Sequence, residues 1–144
     1  MRAVIGASPA SRRASPLVRW LWRDEDVPMG RTVLIVDDQS EFRLLARELL
    51  ETDGFIVIGE AGDAQAALGA ARDLRPDLVL LDVRLPDGSG VDVARTMRAW
   101  KAPPVVVLTS TADYTDEARH CGATGFIPKA LLSGPVLRAT LEAP

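Results

Sequence analysis

Five polar residues spread over 93 positions have the types and spacing to do chemistry: Asp37 and Asp38 side by side, then Asp82, Thr109 and Lys129. Each follows a short apolar run: TVLIV before Asp37-Asp38, LVLL before Asp82, VVVL before Thr109 and GFIP before Lys129. Three carboxylates gathered in one pocket repel each other, at a cost on the order of 4 kcal/mol per pair at about 4 Å and an effective dielectric near 20. A hard divalent cation offsets that cost. Mg²⁺ takes one or two carboxylates together with phosphate oxygens and keeps several waters. Lys129 adds a second positive charge, of the point-like kind that suits phosphate. In such a site a carboxylate can act as nucleophile and accept a phosphoryl group as an acyl phosphate. The cation and Lys129 would neutralise the equatorial oxygens during in-line transfer, and a hydroxyl at Thr109 could hydrogen-bond the transferred group.

These residues work together only if the fold gathers them, and the pattern from Gly30 onward provides for that. Thr32–Val36 reads as a strand buried on both faces, ending in the acid pair. Phe42, Leu45, Ala46, Leu49 and Leu50 recur at helical spacing, with Glu41, Arg43, Arg47, Glu48 and Glu51 mostly on the other face. Gly54 stops that helix, and Phe55–Ile58 is the second strand. Asp63 is placed to N-cap a helix to about Leu74, with Ala67, Leu68 and Ala71 facing inward, and Pro76 ends it. Asp77–Asp82 (DLVLLD) is the third strand. A Pro/Gly-rich loop, Leu85–Gly90, leads to a helix around Val91–Trp100. Val105–Leu108 is the fourth strand, ending in Thr109-Ser110. A helix near Asp113–Cys121 has Gly122 as its left-handed cap. Phe126–Lys129 is the fifth strand, and Ser133-Gly134-Pro135 starts a last helix to about Glu142.

Five strand–helix units in regular order imply an α/β fold, a parallel sheet with helices on both faces, and right-handed crossovers leave few topologies. Ligands of open sheets of this kind sit beyond the carboxyl ends of the strands. Every candidate residue falls there, which converts five scattered side chains into one site.

The 144 residues, 47% hydrophobic, suffice for one domain with a real core. A net charge of −3 carries no basic footprint for nucleic acid. With Cys121 alone there is no internal disulfide, which fits a reducing cytosol. No apolar run approaches the roughly 20 residues of a membrane span. Residues 1–28 read differently. Arg2, Arg12, Arg13, Arg19 and Arg23 precede the first acid, Asp24, in a Ser- and Pro-containing stretch. The expectation there is a disordered arm or a start codon assigned upstream of Met29. The alternative is that Leu17, Val18, Trp20, Leu21 and Trp22 form a short sticky helix that packs on a partner or on the domain.

The runs VLIVDD, LVLLDVRLPDGSG, VVVLTS and GFIPK resemble the receiver domain of bacterial two-component response regulators, from about Arg31 to Leu141. The 44-residue step from Asp38 to Asp82 and the D-x-x-L-P-x-x-S-G run carry that resemblance. It implies a flavodoxin-like (βα)5 sheet of order 2-1-3-4-5. It further implies that Asp82 is the phosphoacceptor, and that Asp38 ligates Mg²⁺ directly and Asp37 mostly through water. The backbone carbonyl of Arg84 would complete the ligands. Thr109 is then the switch hydroxyl, Phe126 the switch aromatic and Lys129 the phosphate-binding lysine. The implied donor is a phosphohistidine on a sensor histidine kinase or histidine phosphotransfer protein. An output protein, or a homodimer, would use the face of helix four, strand five and helix five. No direct nucleic-acid or membrane partner is expected.

Several positions depart from the pattern. Ala130 follows Lys129 where many members have proline, an ending seen in receivers often fused to helix-turn-helix output domains. Pro128 precedes the lysine and removes a backbone donor. Phe126 offers no phenolic hydroxyl, and the Arg84 side chain is placed to overhang a phosphoryl group. Because nothing follows Pro144, the expectation is a cytoplasmic single-domain regulator, not an enzyme beyond assisting its own phosphorylation and dephosphorylation. The rivals are a receiver-like scaffold without phosphate and, in the enzyme class, an aspartate-nucleophile phosphatase. The latter needs a D-x-D motif after strand one, and DDQS does not match it. His120 reads as an exposed helix residue and Cys121 as a small buried hydrophobe.

Overall fold

In the computed structural model, which describes residues 31–143, five strands alternate with five helices. The strands are β1 (Thr32–Val36), β2 (Ile56–Ala61), β3 (Leu78–Asp82), β4 (Val105–Ser110) and β5 (Gly125–Pro128). The helices are α1 (Ser40–Thr52), α2 (Ala64–Leu74), α3 (Gly90–Arg98), α4 (Thr115–Cys121) and α5 (Gly134–Glu142). All main-sheet pairings are parallel and run in the order β2-β1-β3-β4-β5. This is the flavodoxin-like order implied by the resemblance. Between β3 and α3, Arg84–Leu85 pairs antiparallel with Gly88–Ser89. The expectations for residues 1–28 lie outside the described residues.

The continuous apolar strands are buried because both faces are covered. Alternate residues divide between two cores: Leu34, Val36, Val79, Leu81 and Leu108 lie in one with α2, α3 and α4. Val33, Ile35, Leu78, Leu80, Val107 and Ile127 lie in the other with α1 and α5. Asp77, expected inside β3, lies just before it and clasps β1. Its carboxylate accepts the Thr32 amide at 2.9 Å, while its own amide donates to Thr32 Oγ1 at 2.8 Å.

Capping follows the expected chemistry where side chains are in reach. Asp63 accepts the Ala66 amide at 2.7 Å, and Ser133 accepts Val136 at 3.1 Å. Gly122 caps α4 in the left-handed region at φ 87°. Helix α2 ends at Leu74 as expected, with Arg75, the residue before Pro76, adopting φ 49°. Strand two is also longer, because Gly59–Ala61 continue pairing with β1 after a register shift between Val33 and Leu34.

One core assignment is corrected. Leu45 is 50% exposed, although it shares the helical stripe with Phe42 and Leu49. Ala46 and Leu50 are the fully buried residues of α1, with Phe42 and Leu49 partly buried beside them. The stripe is wider than the contact surface that β1, β2 and α5 leave for this helix, so its edge stays in water.

Candidate functional site

The carboxyl edge of the sheet gathers all five candidates. Asp37 is fully buried just past β1, and Asp38 beside it is exposed. Asp82 is the last residue of β3 and only 3% exposed. In the register of β3 against β4 it lies opposite Thr109, which is also buried. Carboxylate oxygens of Asp37, Asp38 and Asp82 all lie within 4.8 Å of one another. Lys129 does not continue β5. It opens a short 3-10 turn, Lys129–Leu131, after Pro128 has ended the strand. Pro128 is tolerated because β5 is an edge strand. From that turn Lys129 Nζ reaches 2.6 Å from Asp37 Oδ2 and 3.4 Å from Asp82 Oδ2.

Backbone contacts hold the carboxylates in place. Asp37 Oδ1 accepts the Gln39 amide at 2.8 Å, which turns the chain into α1. The Asp37 carbonyl accepts Arg43 Nη1 at 2.6 Å, and Arg43 Nε is braced by Glu60 at 2.9 Å. Burial pushes the Glu60 carboxyl up, but hydrogen bonds from Arg47 and Arg43 outweigh it and hold the group below its usual range. Asp82 Oδ1 accepts the Arg84 amide at 3.3 Å.

The electrostatics fit the geometry. Burial first, and the neighbouring Asp37 charge second, raise the Asp82 carboxyl to about 6 against the pull of Lys129. Burial alone would lower the Lys129 ammonium, but its close approach to Asp37 and the charges of Asp37 and Asp82 raise it overall. Its outer side lies 4.6 Å from the centre of the Phe42 ring. Two buried atoms lack hydrogen bonds among the described residues, Asp37 Oδ2 and Thr109 Oγ1. Asp37 Oδ2 is close to Lys129, yet the approach is misaligned for a hydrogen bond, so the contact is an ion pair only.

These observations fit a divalent cation bound beside a phosphoryl group. Three carboxylate oxygens form a hard-oxygen donor set. Asp37 Oδ2 makes no hydrogen bond beside its ion pair with Lys129, and the Thr109 hydroxyl has no acceptor among the described residues.

Sequence reasoning missed three supports. Phe42 appeared only as part of an apolar stripe, whereas it also flanks Lys129. Asp87, within the loop read as turn geometry, binds the start of α2: its two oxygens accept Ala64 and Gln65 amides at 2.7 and 3.0 Å. Those bonds hold its carboxyl below the usual range. Tyr114 was not singled out, yet its ring meets Phe126 edge-on at 6.5 Å. The Tyr114 hydroxyl also holds the exposed Arg84 guanidinium above its ordinary value. Gly90 has a packing reason that the loop composition does not reveal. A Cβ there would lie 2.2 Å from the Asp82 carbonyl oxygen, so only glycine permits this approach. Phe126 is half-buried against the core on the α4 side, and His120 is exposed as expected.

Fold and site together define a class: a flavodoxin-like α/β domain with an acidic pocket and an opposed lysine at the ligand end of its sheet. Residues 33–141 match the response regulator receiver domain family, and the chain belongs to it, within two-component signalling. It is 38% identical over 108 residues to the transcriptional regulatory protein PdtaR of Mycobacterium tuberculosis, covering 74% of this chain and 53% of that protein. It is 40% identical over 99 residues to the KDP operon regulator KdpE of Escherichia coli, covering 67% and 44%. The chain therefore spans about half the length of the curated relatives it matches. Among solved structures, the signal receiver domain of the response regulator NarL from Mycobacterium tuberculosis superposes with a TM-score of 0.72 at 31% identity. That match covers 81% of this chain and all of that domain. The receiver domain of Thermotoga maritima CheB gives 0.68 at 28% identity, covering 80% and 99%.

Proposed function

We propose that this receiver domain is a phosphorylation switch in which Asp82 takes a phosphoryl group from a phosphohistidine. The observation that carries the reading is the placement of Lys129 Nζ, 2.6 Å from Asp37 and 3.4 Å from Asp82, beside three mutually close carboxylates. An Asp82 oxygen attacks phosphorus, the new O–P bond forms as the P–N bond breaks, and the leaving imidazole takes up a proton. Asp37, Asp38, Asp82 and the Arg84 carbonyl would hold Mg²⁺, which supplies positive charge against the carboxylates and the phosphoryl oxygens. Lys129 neutralises a further oxygen, and Thr109 donates its free hydroxyl to another.

The donor is a sensor histidine kinase or phosphotransfer protein. Leu44, Leu45 and Leu131, on α1 and on the turn after Lys129, are 58%, 50% and 61% exposed and offer it an apolar landing. The readout is the α4-β5-α5 face, through which Phe126 and Tyr114 report the state of Thr109 to an output partner or a second copy. The domain turns over no external substrate and works in the cytoplasm, in keeping with its one buried thiol. Direct contact with nucleic acid or membrane plays no part.

The test is radiolabel transfer from acetyl phosphate or a phosphorylated donor. Wild type should label, EDTA added beforehand should prevent it, and Asp82→Asn should abolish it. Equal labelling of Asp82→Asn and wild type would place the acceptor elsewhere.

A further inference from the structure

The end of the sheet opposite the phosphoryl site carries a groove of about 1120 Å³, bordered by Arg31, Arg72, Arg75, Asp77, Trp100 and Lys101. Its walls come from the segments that lead into β1, β3 and β4, so it lies at the amino ends of the strands. The chain is acidic overall, at −3, yet four of the groove's five charged residues are cationic. None of the four makes an ion pair among the described residues. The one acid, Asp77, already has an oxygen engaged by the Thr32 amide.

The α2 dipole accounts for Arg72 and Arg75 at its carboxyl end. It does not account for Arg31 or Lys101, which arrive from other segments. Arg75 also occupies a left-handed conformation, φ 49°, where glycine is the usual residue. The Arg72 guanidinium sits 5.1 Å from the centre of the Trp100 ring, which leaves one aromatic surface framed by cations. A groove of this chemistry suits an acidic segment that carries an aromatic side chain.

Such a segment precedes the groove's own rim in the sequence. Arg31, where the described chain begins, lines the groove, and Asp24-Glu25-Asp26 lie five to seven residues before it, with Trp20 and Trp22 just beyond. Five to seven residues reach at most about 17–24 Å. A groove of about 1120 Å³ is roughly 10 Å across, well within that reach. We propose that Trp20–Asp26 of this chain docks in the groove, with its acids on Arg72, Arg75 and Lys101 and a tryptophan beside Trp100. Of the expectations for the first 28 residues, the proposal takes packing on the domain. It is independent of phosphoryl transfer, since the groove and Asp82 lie at opposite ends of the sheet.

The test is the Trp100 indole N–H resonance of the full-length chain, assigned by Trp→Phe substitution. Neutralising the segment with Asp24→Asn, Glu25→Gln and Asp26→Asn should shift that resonance, and 1 M NaCl should shift wild type the same way. Reversing the groove with Arg72→Glu and Arg75→Glu should do likewise. Adding Asp24→Arg, Glu25→Arg and Asp26→Arg to the reversed groove should restore the wild-type position. If the neutralised and wild-type chains give the same Trp100 resonance in low salt, the proposal fails. That outcome does not depend on whether the groove variants fold. A shift that grows with protein concentration would instead make the occupant a second copy, and would overturn docking within one chain.

Discussion

Asp82 is the residue that the proposed chemistry needs most and the one the cation-free fold tolerates least. Its carboxyl is raised from 3.8 to about 6 by burial and by Asp37. A shift of about two units corresponds to about 3 kcal/mol at 1.36 kcal/mol per unit, and water at the open mouth of the pocket reduces this to roughly 2 kcal/mol. Because the folded value lies above the unfolded one, the ionised group costs stability. The cost is absent below about pH 4, grows as the pH rises through about 6, and is complete at neutral pH. Asp82→Asn removes the charge but leaves Lys129 paired with Asp37 at 2.6 Å. In EDTA at pH 7.5 the variant should therefore be more stable than wild type by roughly 2 kcal/mol in urea unfolding, with an unchanged denaturant slope. The gap should close by about pH 4, and Mg²⁺ should raise wild type more than the variant. A variant no more stable than wild type at pH 7.5, or a gap that does not depend on pH, would refute the argument. Either result would mean that Lys129 fully compensates the buried acid.

Gly90→Ala should destabilise the domain by about 1–3 kcal/mol in the same assay, because the new methyl must displace the Asp82 carbonyl. Its phosphoryl labelling should fall as well. Asp63→Ala removes the cap on α2 and should cost about 1 kcal/mol of stability while leaving labelling intact. Thr109→Ala deletes a buried hydroxyl that has no partner, so unfolding should change by less than about 1 kcal/mol. The variant should still label, but beryllofluoride with Mg²⁺ should no longer alter hydrogen exchange across residues 113–141 as it does in wild type. Identical responses would remove Thr109 from the coupling.

Much of this molecule was legible because its chemistry sits at punctuation. Strands buried on both faces are written as unbroken apolar runs, so an acid, hydroxyl or lysine directly after each run marks the carboxyl edge. The sheet order was not readable from that pattern and came with the resemblance. The contacts that tune the site were hidden for a different reason. Phe42 beside Lys129, Asp87 on the start of α2 and Tyr114 against Phe126 join residues distant in sequence, and no local pattern encodes such pairs. Leu45 shows the complementary limit. Periodicity tells which side of a helix is apolar, but the width of the surface it meets is set by other elements.

On the proposed function, the two buried atoms without hydrogen bonds would let so small a chemical event be felt at a distance. A buried polar group without a partner costs roughly 1–3 kcal/mol, so Thr109 Oγ1 holds the resting site in a state with an unmet interaction, while Asp37 Oδ2 has only its ion pair with Lys129. On the proposed reading, a cation and a phosphoryl group satisfy both atoms at once. Thr109 can gain its hydrogen bond only by turning toward Asp82, its neighbour across the β3–β4 pairing. The next residue along β4, Ser110, pairs with Pro128, and Leu108 on the other side pairs with Phe126. A change at Thr109 is therefore one residue in register from the ring that meets Tyr114 edge-on. A bias of 1–3 kcal/mol shifts a two-state equilibrium by roughly 5- to 150-fold, which would tilt the α4-β5-α5 face between two populations without emptying either. The same bias sets a ceiling: a response much steeper than about 150-fold would have to draw on something beyond Thr109.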